Sequence, residues 1–316
     1  MKHYNLAFVG IGSIGKRHFK NICSILEQRG DSYTIDLYRS DLSRELPIDI
    51  TSKVHAQYLY SQNLPKSIFY DAVFVTNPTS LHLSAVLKFI DATKSFFIEK
   101  PVFDTYVIDD EIIKKLDSKI SYVACPMRFN PVLQFVKNNV NCIEAISVRA
   151  ISSSYLPDWR PGQDYRTCYS AHANMGGGVD IDLIHEWDYL VSLFGMPSTC
   201  NAILQKISNL EIDSNDIALY IGRNEKTAFE LHLDYFGRKP IRTLDIFLPA
   251  ETIHCDILNG SVEFLLSGRK ETFDNDRNVF HIAQMEHFFD IIDGKSINDS
   301  CVSHAVKILK LTKGKI

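Results

Sequence analysis

LAFVGIGSIGKRHFKNICSILEQRG, residues 6–30, opens as an apolar run ending in Gly10, passes through the VGIGSIG turn and continues with helical spacing to Gly30. Strand, tight turn and helix in that order predict a βα unit. Gly10, Gly12 and Gly15 satisfy the G-x-G-x-x-G spacing. Alone that pattern is weak, but here it follows a strand and opens a helix, the context a dinucleotide site requires. Gly10 permits the turn, Gly12 lets the backbone approach a pyrophosphate, and Gly15 lets the helix pack closely. The amides of this turn, through Ser13 and Ile14, are then predicted to face the phosphates.

Outward from this unit, TIDLY (34–38), DAVFVT (71–76) and SFFIEK (95–100) read as further buried strands, separated by amphipathic stretches such as LHLSAVLKFIDA. Strands alternating with helices predict an α/β class, doubly wound parallel sheet over a first domain, residues 1–122. Across residues 123–316 the pattern changes. ISVRAISSSY, CNAILQKI, IALYIG, AFELHLDY, RTLDIFLP and SVEFLLS are strand-like, several alternating apolar with polar residues. They predict an α+β second domain on a large, mainly antiparallel sheet with one open face. Between its first two strands lies YLPDWRPGQDYRTCYSAHANMGGG, an insertion long enough to be functional or mobile. The helix-like VDIDLIHEWDYL follows it. IAQMEHFFDII and AVKILKLTK close the chain as helices free to pack back on the first domain.

The chain has 316 residues, 45% of them hydrophobic, and a formal charge of −4. That length suits two domains with packed cores. Lys and Arg are scattered, with no basic excess to hold a phosphate backbone, so nucleic acid is not an expected partner. No stretch approaches the roughly 18 apolar residues of a membrane span, and the N-terminal run is too short for a signal peptide. The expectation is a cytoplasmic protein with no membrane partner. Cys23, Cys125, Cys142, Cys168, Cys200, Cys255 and Cys301 stand singly, never as C-x-x-C, and most read as small buried apolar residues.

The end of the second strand separates the two nicotinamide cofactors, because an acid there holds the adenosine ribose while an Arg accommodates a 2′-phosphate. In TIDLYRSD the strand ends at Tyr38, and Arg39 and Ser40 come next; Asp36 lies inside the strand and Asp41 beyond the turn. NADP(H) is therefore the favoured expectation, with NAD(H) the alternative.

VGIGSIG, TNPTSLH (76–82) and FFIEKP (96–101), with GGG shortly before Asp182 and His185, together resemble the Gfo/Idh/MocA family of glucose-fructose oxidoreductases and inositol dehydrogenases. Asp182 and His185 stand three apart where many members have a wider gap. This variant, with YLPDWRPGQDYR before it, resembles a subgroup associated with sugars of bacterial surface polysaccharides. The resemblance implies a nicotinamide-dependent sugar oxidoreductase, a homo-dimer or homo-tetramer. It makes Lys100 of the Glu99-Lys100-Pro101 motif, Asp182 and His185 the catalytic candidates. Thr76, Asn77, Pro78, His82, Glu99, Lys100 and Arg128 join the glycine turn as cofactor-binding candidates.

Oxidising a secondary alcohol requires a hydride acceptor and a base for the hydroxyl proton; the cofactor supplies the first and the protein the second. His185 is expected to exchange that proton, Lys100 to hydrogen-bond the same oxygen, and Asp182 to orient or relay. A helix begun by Asp182 would put Asp182, His185, Glu186 and Tyr189 on a polar face, and Leu183, Ile184, Trp187 and Leu190 on an apolar one. Asp180 would then favour the helix dipole in the first turn. Asp180, Asp182, His185 and Asp188 do not share a face, so no metal is expected. Tyr155, Trp159, Arg160, Tyr165, Arg166 and Arg238 combine aromatic faces with guanidinium forks suited to sugar rings and to phosphate or carboxylate. The rival readings are a sugar- or dinucleotide-sensing regulator and a glycosidase that recycles bound NAD.

Overall fold

The computed structural model describes residues 1–316, which divide into two compact units: Met1–Ala124 with His281–Val306, and Cys125–Phe280 with Lys307–Ile316. No helix is long and apolar enough to cross a membrane.

The first unit contains β1 (His3–Val9), α1 (Ser13–Arg29), β2 (Ser32–Arg39), α2 (Ile48–Thr51), β3 (Ala56–Leu59), β4 (Tyr70–Val75), α3 (His82–Phe89), β5 (Thr93–Ile98), α4 (Asp110–Asp117) and β6 (Ile120–Val123). The six strands form a parallel sheet in the order β3-β2-β1-β4-β5-β6. This is the doubly wound arrangement expected from the alternating pattern, and it reverses direction between β1 and β4, where open α/β sheets take ligands. Val9 stands level with Tyr38 on one side and Val75 on the other, so Gly10, Arg39 and Thr76 come together at the carboxyl ends of the three strands. Fully buried aromatics fill the sheet faces: Phe8 stacks on Phe74 at 4.7 Å, and Phe288 lies edge-on to Phe74 and Phe97. Phe288 belongs to α8 (Arg277–Ile292), which precedes α9 (Val302–Thr312) at the end of the chain.

The second unit carries α5 (Pro131–Asn139), β7 (Ser147–Tyr155), α6 (Val179–Asp182), α7 (Ile184–Phe194), β8 (Thr199–Gln205), β9 (Ile217–Arg223), β10 (Ala228–Asp234), β11 (Phe236–Phe247), β12 (Thr252–Asp256), β13 (Ser261–Phe264) and β14 (Lys270–Thr272). Eight strands form one sheet, β14-β13-β12-β11-β7-β10-β9-β8, antiparallel except where β7 meets β10. One face is covered by α7, whose Trp187 is fully buried edge-on to Tyr220 at 5.4 Å. The opposite face keeps Ile203 and Ile221 exposed, which matches the expected open side.

Two expectations about the chain before α7 are corrected. The insertion between β7 and α6 is four short 3₁₀ turns rather than a structureless loop. The chain reverses sharply there, and a side chain at Gly177 would meet the carbonyl oxygens of Tyr169, Ser170 and His172 at 2.2, 2.7 and 2.8 Å. Nor does one helix run through Asp182 and His185. Leu183, at φ −98° and ψ 25°, breaks it, leaving Asp182 on α6 and His185 on α7.

Candidate functional site

In the first unit the glycine turn is fixed by its neighbours. Gly10 has φ +86°, and a Cβ there would lie 2.7 Å from the Asn77 backbone; its amide donates to the Tyr38 carbonyl at 3.0 Å. A Cβ on Gly15 would strike Thr76 Oγ1 at 2.7 Å. Thr76, buried, donates that hydroxyl to the Gly10 carbonyl at 2.8 Å and so clamps β4 to the turn. Gly12 has open space around it, and α1 begins there without a side-chain cap or an acid in its first turn. The N-terminal amides at Ser13 and Ile14 thus meet a region that suits a pyrophosphate. Asn77 Oδ1 is buried without a partner, an acceptor available to a ribose hydroxyl, while Pro78 stands exposed beside it.

Other cofactor candidates are turned inward. Glu99 is buried and accepts from the Lys100 amide at 3.1 Å, while its other oxygen meets His18 Nε2. Burial pushes its carboxyl up, but the His18 hydrogen bond and the charges of His18, His281 and Lys100 outweigh this and hold it below the ordinary range. Glu99 therefore braces the strand end that presents Lys100, which precedes a cis Pro101. His82 is buried among carbonyls, Nδ1 near Pro101 and Val102 at 3.1 and 3.2 Å and Nε2 near Asn77 at 3.0 Å. Burial holds it below the usual histidine value against the pull of those carbonyls. It ties the TNP and EKP loops together. Arg39 is also buried: Nη1 donates to Gln57 at 2.8 Å and Nη2 to the Arg44 carbonyl. The sequence offered this guanidinium to a 2′-phosphate; the structure commits both terminal nitrogens to protein, and only Ser40 next to it is exposed. Asp36 is buried in the strand, bonded to Tyr70 and His55.

In the second unit the acid cluster separates into distinct pairs. Asp182, 5% exposed, accepts from the Tyr235 hydroxyl at 2.6 Å. Burial, then the charge and hydrogen bond of Asp182, push the Tyr235 phenol far up, so it acts as a fixed donor. Tyr169 approaches the same carboxylate. Asp180, which the projection put in a dipole-favouring position, is fully buried and bound by Lys313 and Asn215. Asp188 takes a two-pronged bond from Arg128, 2.9 Å to Nε and 2.7 Å to Nη2. Glu186 and Tyr189 are not on an open polar face: both are buried, and Glu186 pairs with Arg242 at 2.8 Å. Leu183, Ile184, Trp187 and Leu190 are buried, and His185 remains half-buried. No group of three or more His, Cys, Asp or Glu side chains is placed to hold a metal ion.

Tyr235 owes its position to Asp234. That buried carboxylate accepts from the Phe236 and Gly237 amides at 3.0 and 2.8 Å and from the Ser153 hydroxyl at 3.0 Å. Burial pushes Asp234 up, but His232, Ser153 and these amides hold it below the ordinary aspartate range. The turn between β10 and β11 is thereby caged. Trp159 stands edge-on to Tyr235 at 5.2 Å and donates its Nε1 hydrogen to Ser154 at 2.9 Å. Arg160 lies over the Tyr169 ring and Arg238 over the Tyr155 ring, at 5.5 and 3.9 Å. Arg166 is committed elsewhere, to Asp164 and Glu211, and the Tyr165 hydroxyl accepts from the Glu211 amide. Tyr235 and Tyr169 carried no sequence signal: neither lies in a motif, and their approach to Asp182 depends on the fold.

Residues 4–123 match the family model GFO_IDH_MocA, described as an oxidoreductase family with an NAD-binding Rossmann fold. That stretch belongs to the Gfo/Idh/MocA family. The Gfo/Idh/MocA match ends where the parallel sheet ends, and solved structures extend the likeness of fold across the chain. UDP-N-acetylglucosamine 3-dehydrogenase GnnA from Acidithiobacillus ferrooxidans is 18% identical, with a TM-score of 0.75 over 99% of this chain and 96% of that one. Levoglucosan dehydrogenase in complex with NADH and levoglucosan is 16% identical, with a TM-score of 0.81 over 99% and 96%. An oxidoreductase from Agrobacterium radiobacter in complex with NAD+, L-tartaric acid and magnesium gives 16%, 0.81, 99% and 95%. A comparison with curated proteins returned no match.

Replacing Tyr235 with Phe removes the donor while keeping the ring against Trp159. Leaving a buried carboxylate oxygen unmatched costs about 1–3 kcal/mol, read by denaturant unfolding. An unchanged unfolding midpoint would show that the bond contributes nothing.

Proposed function

We propose that the protein is a nicotinamide-dependent oxidoreductase that moves a hydride to or from the secondary hydroxyl or keto carbon of a sugar, nucleotide sugar or sugar acid. The observation that carries this reading is the Tyr235-held carboxylate of Asp182, three residues before the half-buried His185, in a protein whose other unit is an NAD-binding Rossmann fold. Open space at Gly12, an uncapped α1 and the unpartnered Asn77 Oδ1 support dinucleotide binding there.

A bound nicotinamide dinucleotide supplies the hydride acceptor or donor. His185 exchanges the hydroxyl proton, and Asp182, fixed by Tyr235, orients the imidazole or relays the proton. Lys100, braced through Glu99 and His18, hydrogen-bonds the reacting oxygen and stabilises its developing negative charge. In protein saturated with dinucleotide, Lys100→Ala and His185→Ala are each expected to lower turnover by about 10²- to 10⁴-fold. Undiminished turnover in either removes that residue from the chemistry.

The commitment of Arg39 to Gln57 and Arg44 supports NAD(H) over the NADP(H) favoured by the sequence. Dissociation constants for the two cofactors test this: tighter NAD(H) binding is expected, and tighter NADP(H) binding abolished in Arg39→Ala would reverse it.

The motif variant around Asp182 and His185 supports a role in cell-surface glycan biosynthesis. The exposed Ile203 and Ile221 support assembly into a homo-dimer or homo-tetramer through the open sheet face, which sedimentation of the intact chain reads directly. Seven unpaired cysteines suit a reducing, cytoplasmic compartment.

A further inference from the structure

We propose that Lys313, the residue after α9, is a positioning residue for the reaction: its ammonium, paired with the buried Asp180, fixes the rotation of α6 and so the direction of the Asp182 carboxylate. The inference rests on the reading of Asp182 and His185 as the reacting end of a sugar site, and it names what holds that end in place.

α6 is a single turn of four residues, Val179–Asp182. A helix that short has no stability of its own, so its orientation is set by what its side chains and end amides hold. At about 100° per residue, Asp180 and Asp182 point to roughly opposite sides of the turn. Tyr235 holds Asp182. On the other side Lys313 Nζ donates to Asp180 Oδ2 and Asn215 Nδ2 to Oδ1 at 3.2 Å, while the Val179 amide donates to the Asn215 carbonyl at 2.9 Å. Grips on both sides fix the turn against rotation, where one alone would let it swing. Leu183 breaks the helix directly afterwards, so the regular hydrogen bonding of α7 does not hold α6.

Both members of the pair are seated by fitted backbone. Asp180 is fully buried, and a carboxylate out of water demands a paired cation. Its Oδ1 folds back over Gly178, where a Cβ would lie 2.8 Å away and φ is +129°. The third glycine of the GGG run therefore makes room for Asp180. Lys313 is delivered just as closely. The Tyr220 hydroxyl, on β9, donates to the Thr312 carbonyl at 2.7 Å, and a Cβ on Gly314, at φ +63°, would lie 2.7 Å from Ala202 Cβ on β8. These contacts on either side of Lys313 hold its backbone to the sheet, and the partly exposed side chain reaches inward to Asp180. Burial, then the Asp180 charge, push the Tyr220 phenol far up, which keeps it a donor. Burial, Asp182 and Tyr169 raise Tyr235 more strongly, and Asp180 acts on it too. The Lys313–Asp180 pair thus stands within electrostatic reach of the phenol that holds Asp182.

The test compares Lys313→Met, Lys313→Arg and the double variant Lys313→Met with Asp180→Asn, each as the intact protein loaded with NAD(H). Hydrogen exchange of residues 179–185, read by mass spectrometry, is expected to quicken about 10-fold in Lys313→Met and in the double variant, and to keep the wild-type rate in Lys313→Arg. In turnover of a sugar, kcat is expected to fall about 10-fold in the same two variants with KM within about twofold of wild type, and Lys313→Arg to restore it. The double variant leaves no carboxylate buried alone, so its folding does not depend on the pair. A pair that only stabilised the fold would give that variant wild-type kcat. Wild-type exchange at 179–185 in the double variant, wild-type kcat in it, or a loss that Lys313→Arg does not restore would overturn the proposal. Exchange involves no turnover. A failure of the hydride-transfer reading therefore appears separately, as undiminished turnover in Lys100→Ala or His185→Ala while exchange still responds to Lys313.

Discussion

The hydrogen bond from Tyr235 to Asp182 joins the turn after β10 to the short helix after the triple glycine, two parts of the chain with no local reason to meet. Much of the second unit follows from making that bond. Asp234 must cage the turn so that Tyr235 points inward, and the insertion before α6 must fold back tightly enough to bring Asp182 under the phenol. The compression at Gly177, where three carbonyl oxygens leave no room for a side chain, shows how tight that return is. Leu183 then breaks the helix and lets α7 lay Trp187 into the core without moving Asp182 from its donor.

The first unit obeys a comparable constraint at the point where its sheet changes direction. Gly10 is pressed against Asn77, and Gly15 against Thr76, so the turn after β1 and the loop after β4 form one fitted surface. The buried His82 and the His18–Glu99 pair extend the fit to the loop carrying Lys100. Most polar groups in these positions are satisfied within the protein; the uncapped α1 amides suit a phosphate, and the buried, unpartnered Asn77 Oδ1 suits a hydroxyl donor.

The fold was largely legible because its signals are local. Alternating strands and helices, the glycine turn before α1 and the alternation in β9 and β10 each occupy a few consecutive residues. β3, β6, β12 and β14 were not picked out, being three to five residues long and too short for periodicity to act on. The site was less legible because its partners are distant. Tyr235 is 53 residues from Asp182, Glu99 is 81 from His18, and Arg128 is 60 from Asp188. Helical projection failed across Leu183, since a single non-helical residue resets the angle on which the projected face depended. The partners of Arg39 are hidden from the sequence for a related reason: Gln57, which engages it, lies on the neighbouring strand β3, too short to stand out.

Direct hydride transfer to a sugar carbon leaves an isotopic trace. Incubating the protein with NADH deuterated at the nicotinamide C4 and an oxidised sugar, then weighing the product by mass spectrometry, follows the hydride itself. The account predicts one deuterium fixed on the newly formed carbinol carbon, from one face of the nicotinamide only. A product formed without deuterium, or cofactor that binds but is never consumed across anionic and neutral keto sugars, would contradict it.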